Sequence, residues 1–116
     1  MFAFEIPGLR FSLPAGGAVA LHRFVTVDGT GAKQGTASAS IIGASMNEVT
    51  AKELEANERI VEIADGIVIV EAGGEVAAGA KVSCDASGKA VEGGDTPCGV
   101  ALTAATADGQ LITVKL

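Results

Sequence analysis

The sequence predicts an all-β fold: a small barrel or sandwich of about eight short strands preceded by an extended N-terminal arm. Three observations predict it. The apolar residues, 48% of the 116, are mostly Ala, Val and Ile, while aromatics are only 3%, with no Trp and no Tyr. Sixteen glycines punctuate the chain, which is the composition of short β-branched strands joined by tight turns. No long segment carries Leu, Lys and Glu at the 3.6-residue period of a helical bundle. A chain of this length is expected to form one domain around a single core. The arm is therefore placed at residues 1–17 and a single β domain at residues 18–116.

The arm is set apart by Pro7 and Pro14 and by the Gly16-Gly17 pair that ends it. Proline lacks a ladder donor and restricts the residue before it, so no central strand is expected here. Phe2, Phe4 and Phe11 supply three of the four phenylalanines. Burying each contributes roughly 1.5–3 kcal/mol. Fixing backbone costs roughly 1–2 kcal/mol per residue. Three rings cannot order the whole segment alone, so it is expected to pair its backbone, to pack on a partner or to stay mobile.

Residues 18–27 alternate, with Val19, Leu21, Val25 and Val27 on one face and Ala20, His22, Phe24 and Thr26 on the other. Asp28-Gly29 and Gly31 end that strand in a turn. Residues 35–44 form a second strand whose small side chains allow close approach by a neighbour. Residues 46–57 are the one helix-like stretch. Thr50 followed by Glu53 has the spacing of a capping box, but no sustained 3.6 period follows, so a loop with at most one helical turn is expected.

Residues 58–64 lead through Asp65-Gly66 into residues 67–71, and that pair between apolar runs signals a hairpin. Ile67, Val68, Ile69 and Val70 are apolar on both faces, as in a sandwich core or a subunit interface. Glycine-punctuated residues 72–80 follow. Further strands are expected at 80–84, 89–92, 98–105 and 110–116, separated by Asp85-Ala86-Ser87-Gly88, by Gly93-Gly94-Asp95-Thr96-Pro97 and by Ala107-Asp108-Gly109.

The charge pattern excludes one class of partner. The formal net charge is −6 at pH 7, and the eight basic residues are scattered with no two adjacent. A nucleic-acid backbone rewards clustered Lys and Arg, so nucleic acid is not an expected partner. No run reaches the roughly 18 apolar residues of a membrane-spanning helix, and residues 1–18 lack the charged start and continuous apolar core of a secretory signal. Synthesis in the cytoplasm without export is the simplest expectation. Cys84 and Cys98 are then expected to be unpaired thiols.

No catalytic constellation emerges. His22 is the single histidine and has no nucleophile motif near it. The glycines of residues 28–35 lack the Lys-Ser/Thr and following helix of a phosphate loop. Asp28, Asp65, Asp85, Asp95 and Asp108 mostly sit beside turn glycines, as turn chemistry predicts, and no calcium-loop spacing is present. Residues 71–82 have some likeness to biotinyl and lipoyl domains, but Lys81 and Lys89 lack the Met or Asp-Ala context that marks the modified lysine of those domains.

Residues 64–91 (ADGIVIVEAGGEVAAGAKVSCDASGKAV) and 99–116 (GVALTAATADGQLITVKL) resemble the capsid decoration, or cement, proteins of tailed phages. The shared features occur in order. They are Arg23-Phe24-Val25 closing an early strand, the Ile42-Gly43 pair, a Gly-Ile-Val strand, an Ala-Gly-Ala-x-Val turn-strand and a Gly-x-Ala-Leu strand before a short Ile-x-Val strand. The resemblance covers roughly residues 17–116, with residues 47–57 longer and more charged than the family pattern.

The resemblance implies a non-enzymatic structural protein, without cofactor or metal, on the outer surface of the virion. Its expected partners are the major capsid protein and itself, a homotrimer being favoured, with neither nucleic acid nor membrane. The protein would bridge neighbouring capsid subunits and resist internal DNA pressure. Phe2, Phe4 and Phe11 would form the capsid-docking arm, and Ile67, Val68, Ile69 and Val70 the strand nearest the oligomer axis. The alternative from another class is a small β module that binds carbohydrate or a cofactor, although sugar binding lacks the usual Trp or Tyr platform.

Overall fold

The computed structural model describes residues 3–116. Its strands are β1 (Ile6–Pro14), β2 (Phe24–Asp28), β3 (Gly31–Gln34), β4 (Gly43–Ser45), β5 (Ile60–Glu71), β6 (Lys81–Cys84), β7 (Ala90–Glu92), β8 (Gly99–Ala101) and β9 (Leu111–Lys115), with one helix, α1 (Ala51–Ala56). All the strands join one antiparallel sheet in the order β3-β2-β4-β5-β9-β8-β6-β7, with β1 also paired to β5. The all-β class expected from composition and turn spacing is the class observed.

The sheet curls twice. The end of β1 returns to β3 through a parallel bridge between Ala15 and Ala32, and the end of β5 returns to β7 through one between Ala72 and Ala90. Two barrel-like units result, lying along a body of 40 × 25 × 21 Å. Where the sequence suggested one core, there are two clusters. Val19, Val25, Ala32, Val49, Val61 and Ile63 fill the first. Phe24, Val68, Val70, Val82, Ile112 and Val114 are among the residues of the second.

The units are repeats of one another. The Val19–Val49 bridge corresponds to Val76–Ala105. The bond from Met46 N–H to Glu62 O corresponds to that from Leu102 N–H to Thr113 O, and Ile42 N–H to Val25 O corresponds to Cys98 N–H to Val82 O. The pairing of Phe11 with Ile63 in β1–β5 corresponds to that of Val68 with Val114 in β5–β9. The sequence keeps a trace of this in Ala15-Gly16-Gly17 and Ala72-Gly73-Gly74, each followed by an x-Val-Ala, and in Asp28-x-Thr30-Gly31 and Asp85-x-Ser87-Gly88.

Strand β5 serves both repeats, and this overturns the hairpin expected at Asp65-Gly66. The chain continues straight through as one twelve-residue strand. Gly66, at φ +113°, takes up the irregularity opposite a bulge between Pro7 and Leu9 of β1. A Cβ at Gly66 would lie 2.5 Å from Gly8 N, so Asp-Gly serves here as a bulge partner and not as a turn. The expected strand at 35–44 is also displaced. Pairing begins earlier, with β3 hairpinned to β2 through Asp28-Gly31, and resumes only at Gly43. There the small residues do permit close approach, since a Cβ on Gly43 would sit 2.5 Å from Ala64 O.

Residues 6–14, expected in an arm without central pairing, form β1 along β5. Proline is tolerated because Pro14 ends the strand and Pro7 borders the bulge. Between Gly43 and β5 the capping box forms as its spacing predicted. The Thr50 hydroxyl accepts from Glu53 N–H and Glu53 Oε1 accepts from Thr50 N–H, each at 3.1 Å, opening a helix of six residues.

The two cores share a wall. Phe24, Ala44 and Ala64 form one cross-strand row whose side chains pack into the second core, while their neighbours Val25 and Ile63 point into the first. Phe24 is the largest side chain that is fully buried. Phe24→Ala is expected to cost about 3–5 kcal/mol by leaving a cavity between the repeats, measured by urea denaturation.

His22 sits at φ +57°, where the second repeat has Gly79 at φ +87°. A β-branched residue is strongly disfavoured there. His22→Val is therefore expected to lower stability by more than about 1 kcal/mol, and His22→Gly to be tolerated, as thermal melts of the two variants will show.

Cys84 and Cys98 are free thiols, Cys84 buried and Cys98 half-buried. Burial, with the nearby Cys98 and Asp85 adding to it, pushes the Cys84 thiol up to about 12 from an ordinary 9.0. Its neutral form thus supports folding fully below pH 9, and that support is lost as pH rises from 9 toward 12. Stability should fall over this window and fall less in Cys84→Ala, as urea titrations at successive pH values will measure.

Candidate docking face

Alternation along β5 sorts the four apolar residues that the sequence grouped together. Val68 and Val70 are fully buried in the second core. Ile67 and Ile69 point to the opposite face and are half-buried. On that face Ile6, Ile67, Lys115 and Val100 lie in one row across β1, β5, β9 and β8. The next rows carry Ile69 beside Thr113 and Glu71 beside Leu111.

Residues 3–5 run across this face in extended form. Phe4 N–H donates to Thr113 Oγ1 at 2.7 Å, and the same hydroxyl donates to Phe4 O at 2.9 Å. Ile69 N–H donates to Glu5 Oε1 at 3.5 Å. These contacts explain why Thr113, an outward residue, is 0% exposed. Phe4, Ile6, Val100 and Leu111 remain exposed around the seated segment. Together they make this an exposed apolar face, the kind of surface on which interaction sites are sought.

The phenylalanines of the expected arm are thus separated. Phe2 lies outside the described residues. Phe4 is exposed on this face. Phe11 is half-buried and packs on the first core through β1, so it is a structural ring of the first repeat in this conformation.

A charged cluster that sequence reasoning passed over fixes the two repeats against each other beside this face. Glu71 at the end of β5 pairs with Arg23 at 3.3 Å and with Lys89 at 3.0 Å, and Lys89 also pairs with Asp108 at 2.9 Å. Arg23 Nη1 donates to Ser87 O at 2.8 Å. The hydrogen bonds to Asp108 and Glu71 hold the Lys89 ammonium above its ordinary range. Backbone bonds reinforce the junction, from Phe24 N–H to Gly88 O and from Glu71 N–H to His22 O, both at 2.8 Å. The signal in the sequence was an Arg, a Glu and a Lys in a chain with few charges on its strands, but only the fold brings them together. Lys89 is therefore tied into an ion-pair network and is not presented at a free hairpin tip.

Among the described residues no group of three or more His, Cys, Asp or Glu side chains is placed to hold a metal ion. The concave features are open and shallow. One, of about 610 Å³, lies between α1 and the end of β1, with Pro14, Leu54, Arg59 and Ile60 in its walls. Another, of about 300 Å³, lies over the first repeat at Arg10, Ser12, Met46 and Glu62. Asp28 carries a carboxyl held well below the usual range by Lys33 and by the Thr30 hydroxyl and amide, which makes it the cap of its turn.

No curated protein matches the chain by sequence. The crystal structure of the N base of the head fiber gp8.5 of bacteriophage phi29 superposes with a TM-score of 0.74 at 20% identity, covering 93% of this chain and 94% of that one, and so has the same fold. A family model described as phage cement protein matches residues 5–116, which include both repeats and the shared strand. The chain belongs to the phage cement protein family.

Proposed function

We propose that this protein decorates the outer surface of a phage head and stabilises it by bridging major capsid subunits, without catalysing a reaction. The observation that carries this reading is the family match across both repeats. Its support in the structure is a two-unit body joined by one shared strand and an apolar face on the second repeat. Such a body spans more than one subunit, and several weak contacts acting together then hold it.

The N-terminal segment with Phe2 and Phe4, together with Ile6, Ile67 and Ile69, forms the docking side in this proposal. Phe11 contributes indirectly by holding β1 in place. Self-association is proposed as a homotrimer, each copy presenting the same face toward the capsid.

The test uses purified expanded heads that lack the decoration protein, with bound protein measured after sedimentation. The full chain is expected to bind to saturation and to raise the temperature at which heads rupture. Removal of residues 2–5 leaves β1 intact and is expected to weaken binding about tenfold, the equivalent of one buried phenylalanine. Heads that bind the shortened chain with unchanged affinity would sink the role given to Phe2 and Phe4. Heads that do not bind the full chain would sink the proposal itself.

A further inference from the structure

The repeat makes a comparison possible between two grooves. In the second repeat the outward groove is formed by Ile67, Ile69, Leu102 and Thr113, and residues 3–5 of the chain lie in it. Register and hydrogen bonds give each of these a counterpart in the first repeat. Arg10 stands for Ile67, Ser12 for Ile69, Met46 for Leu102 and Glu62 for Thr113. These four counterparts line the open groove of about 300 Å³ on the first repeat. Glu62 is exposed there, whereas Thr113 is fully covered.

We infer that the groove on the first repeat receives an extended segment of a partner polypeptide, and, on the capsid reading proposed above, that this segment belongs to the capsid protein. The occupant of the twin groove shows the mode: an extended chain held through its backbone and by one carboxylate. Ser12 N–H is the counterpart of Ile69 N–H, the donor to Glu5 Oε1. The chain's own N-terminal segment is already seated on the second repeat, so the first groove takes its strand from another molecule.

Charge specifies that strand further. Among the described residues neither Arg10 nor Glu62 forms an ion pair, and the Arg10 guanidinium reaches Met46 Sδ at 3.5 Å. In the twin groove both positions are uncharged, Ile67 and Thr113. The open groove thus offers a cation beside a free amide donor and an anion across from them. It fits an extended peptide that carries a carboxylate toward Arg10 and Ser12 and a basic or N–H donor toward Glu62.

The experiment uses the full-length protein and expanded heads lacking it. Ser12→Trp fills the groove, Arg10→Glu reverses its cation, and Lys52→Glu on α1 makes the same charge change away from it. The two groove variants are expected to bind heads at least about tenfold more weakly, with unchanged melting temperature and unchanged oligomeric mass, while Lys52→Glu binds as the parent does. In hydrogen exchange the Ser12 amide should become protected on decorated heads in the parent protein alone.

Full binding by Ser12→Trp and Arg10→Glu, with the parent also bound, overturns this inference and leaves the decoration role standing. Loss of self-association in the groove variants makes a second copy the occupant, which also overturns it. Equal weakening by Lys52→Glu reduces the effect to net charge and overturns it as well. Heads that fail to bind the parent protein remove the decoration role, and the capsid strand with it.

Discussion

Strand β5 is shared by two cores, and everything else in the molecule is arranged around that sharing. A β-strand presents successive side chains to opposite faces. Val61 and Ile63 face the first core, and Ala64, Val68, Val70 and Ala72 face the second. Because the strand continues past Asp65-Gly66, the alternation never breaks, and the two repeats sit on opposite faces of one ribbon. A hairpin at Gly66 would have separated them. The bulge opposite Gly66 absorbs the local irregularity instead, and Phe24, Ala44 and Ala64 fill the space where the first unit backs onto the second core.

This arrangement also determines where contact with other molecules is available. Each repeat buries the inner face of its sheet and leaves an outer face beyond the junction. On the second repeat residues 3–5 partly cover that face, and the exposed apolar rim around them is what a docking surface requires. On the first repeat the same place is open and polar. The two repeats thus carry two versions of one groove, and their side chains differ in charge. The Arg23–Glu71–Lys89–Asp108 cluster keeps the angle between the repeats. Ordering a loose body on binding would cost affinity, and ion pairs across the junction limit that cost.

Some of this was legible in the residues. Alternation and turn glycines marked the strands from Ile60 onward, and the Thr50–Glu53 spacing marked the cap of α1. The order of short motifs such as Ile42-Gly43 and Ala78-Gly79-Ala80-Lys81-Val82 pointed to the family. β1 was not legible, because Pro7 and Pro14 argue against a central strand and their positions at a bulge and at a strand end appear only with the partner in place. The outward apolar face was half legible. The apolar run 67–70 was visible, but whether Ile67 and Ile69 or Val68 and Val70 faced the core depends on which side the second sheet packs. Arg10 and Glu62 carried no signal at all, since an exposed charge on a strand is ordinary.

The sequence by itself determined the class of structure, because strand periodicity, turn chemistry and the shortage of long helical patterns are local properties of the chain. It also showed that no two basic residues are adjacent and that no recognisable catalytic motif is present. The tertiary structure alone decided that β1 joins the sheet, that β5 belongs to both repeats and that there are two cores. Those features are pairings between distant segments, and a local pattern states that a strand exists without stating its neighbour. The groove on the first repeat belongs to the same class: its four walls come from three separate parts of the chain, and only the closed register brings them side by side.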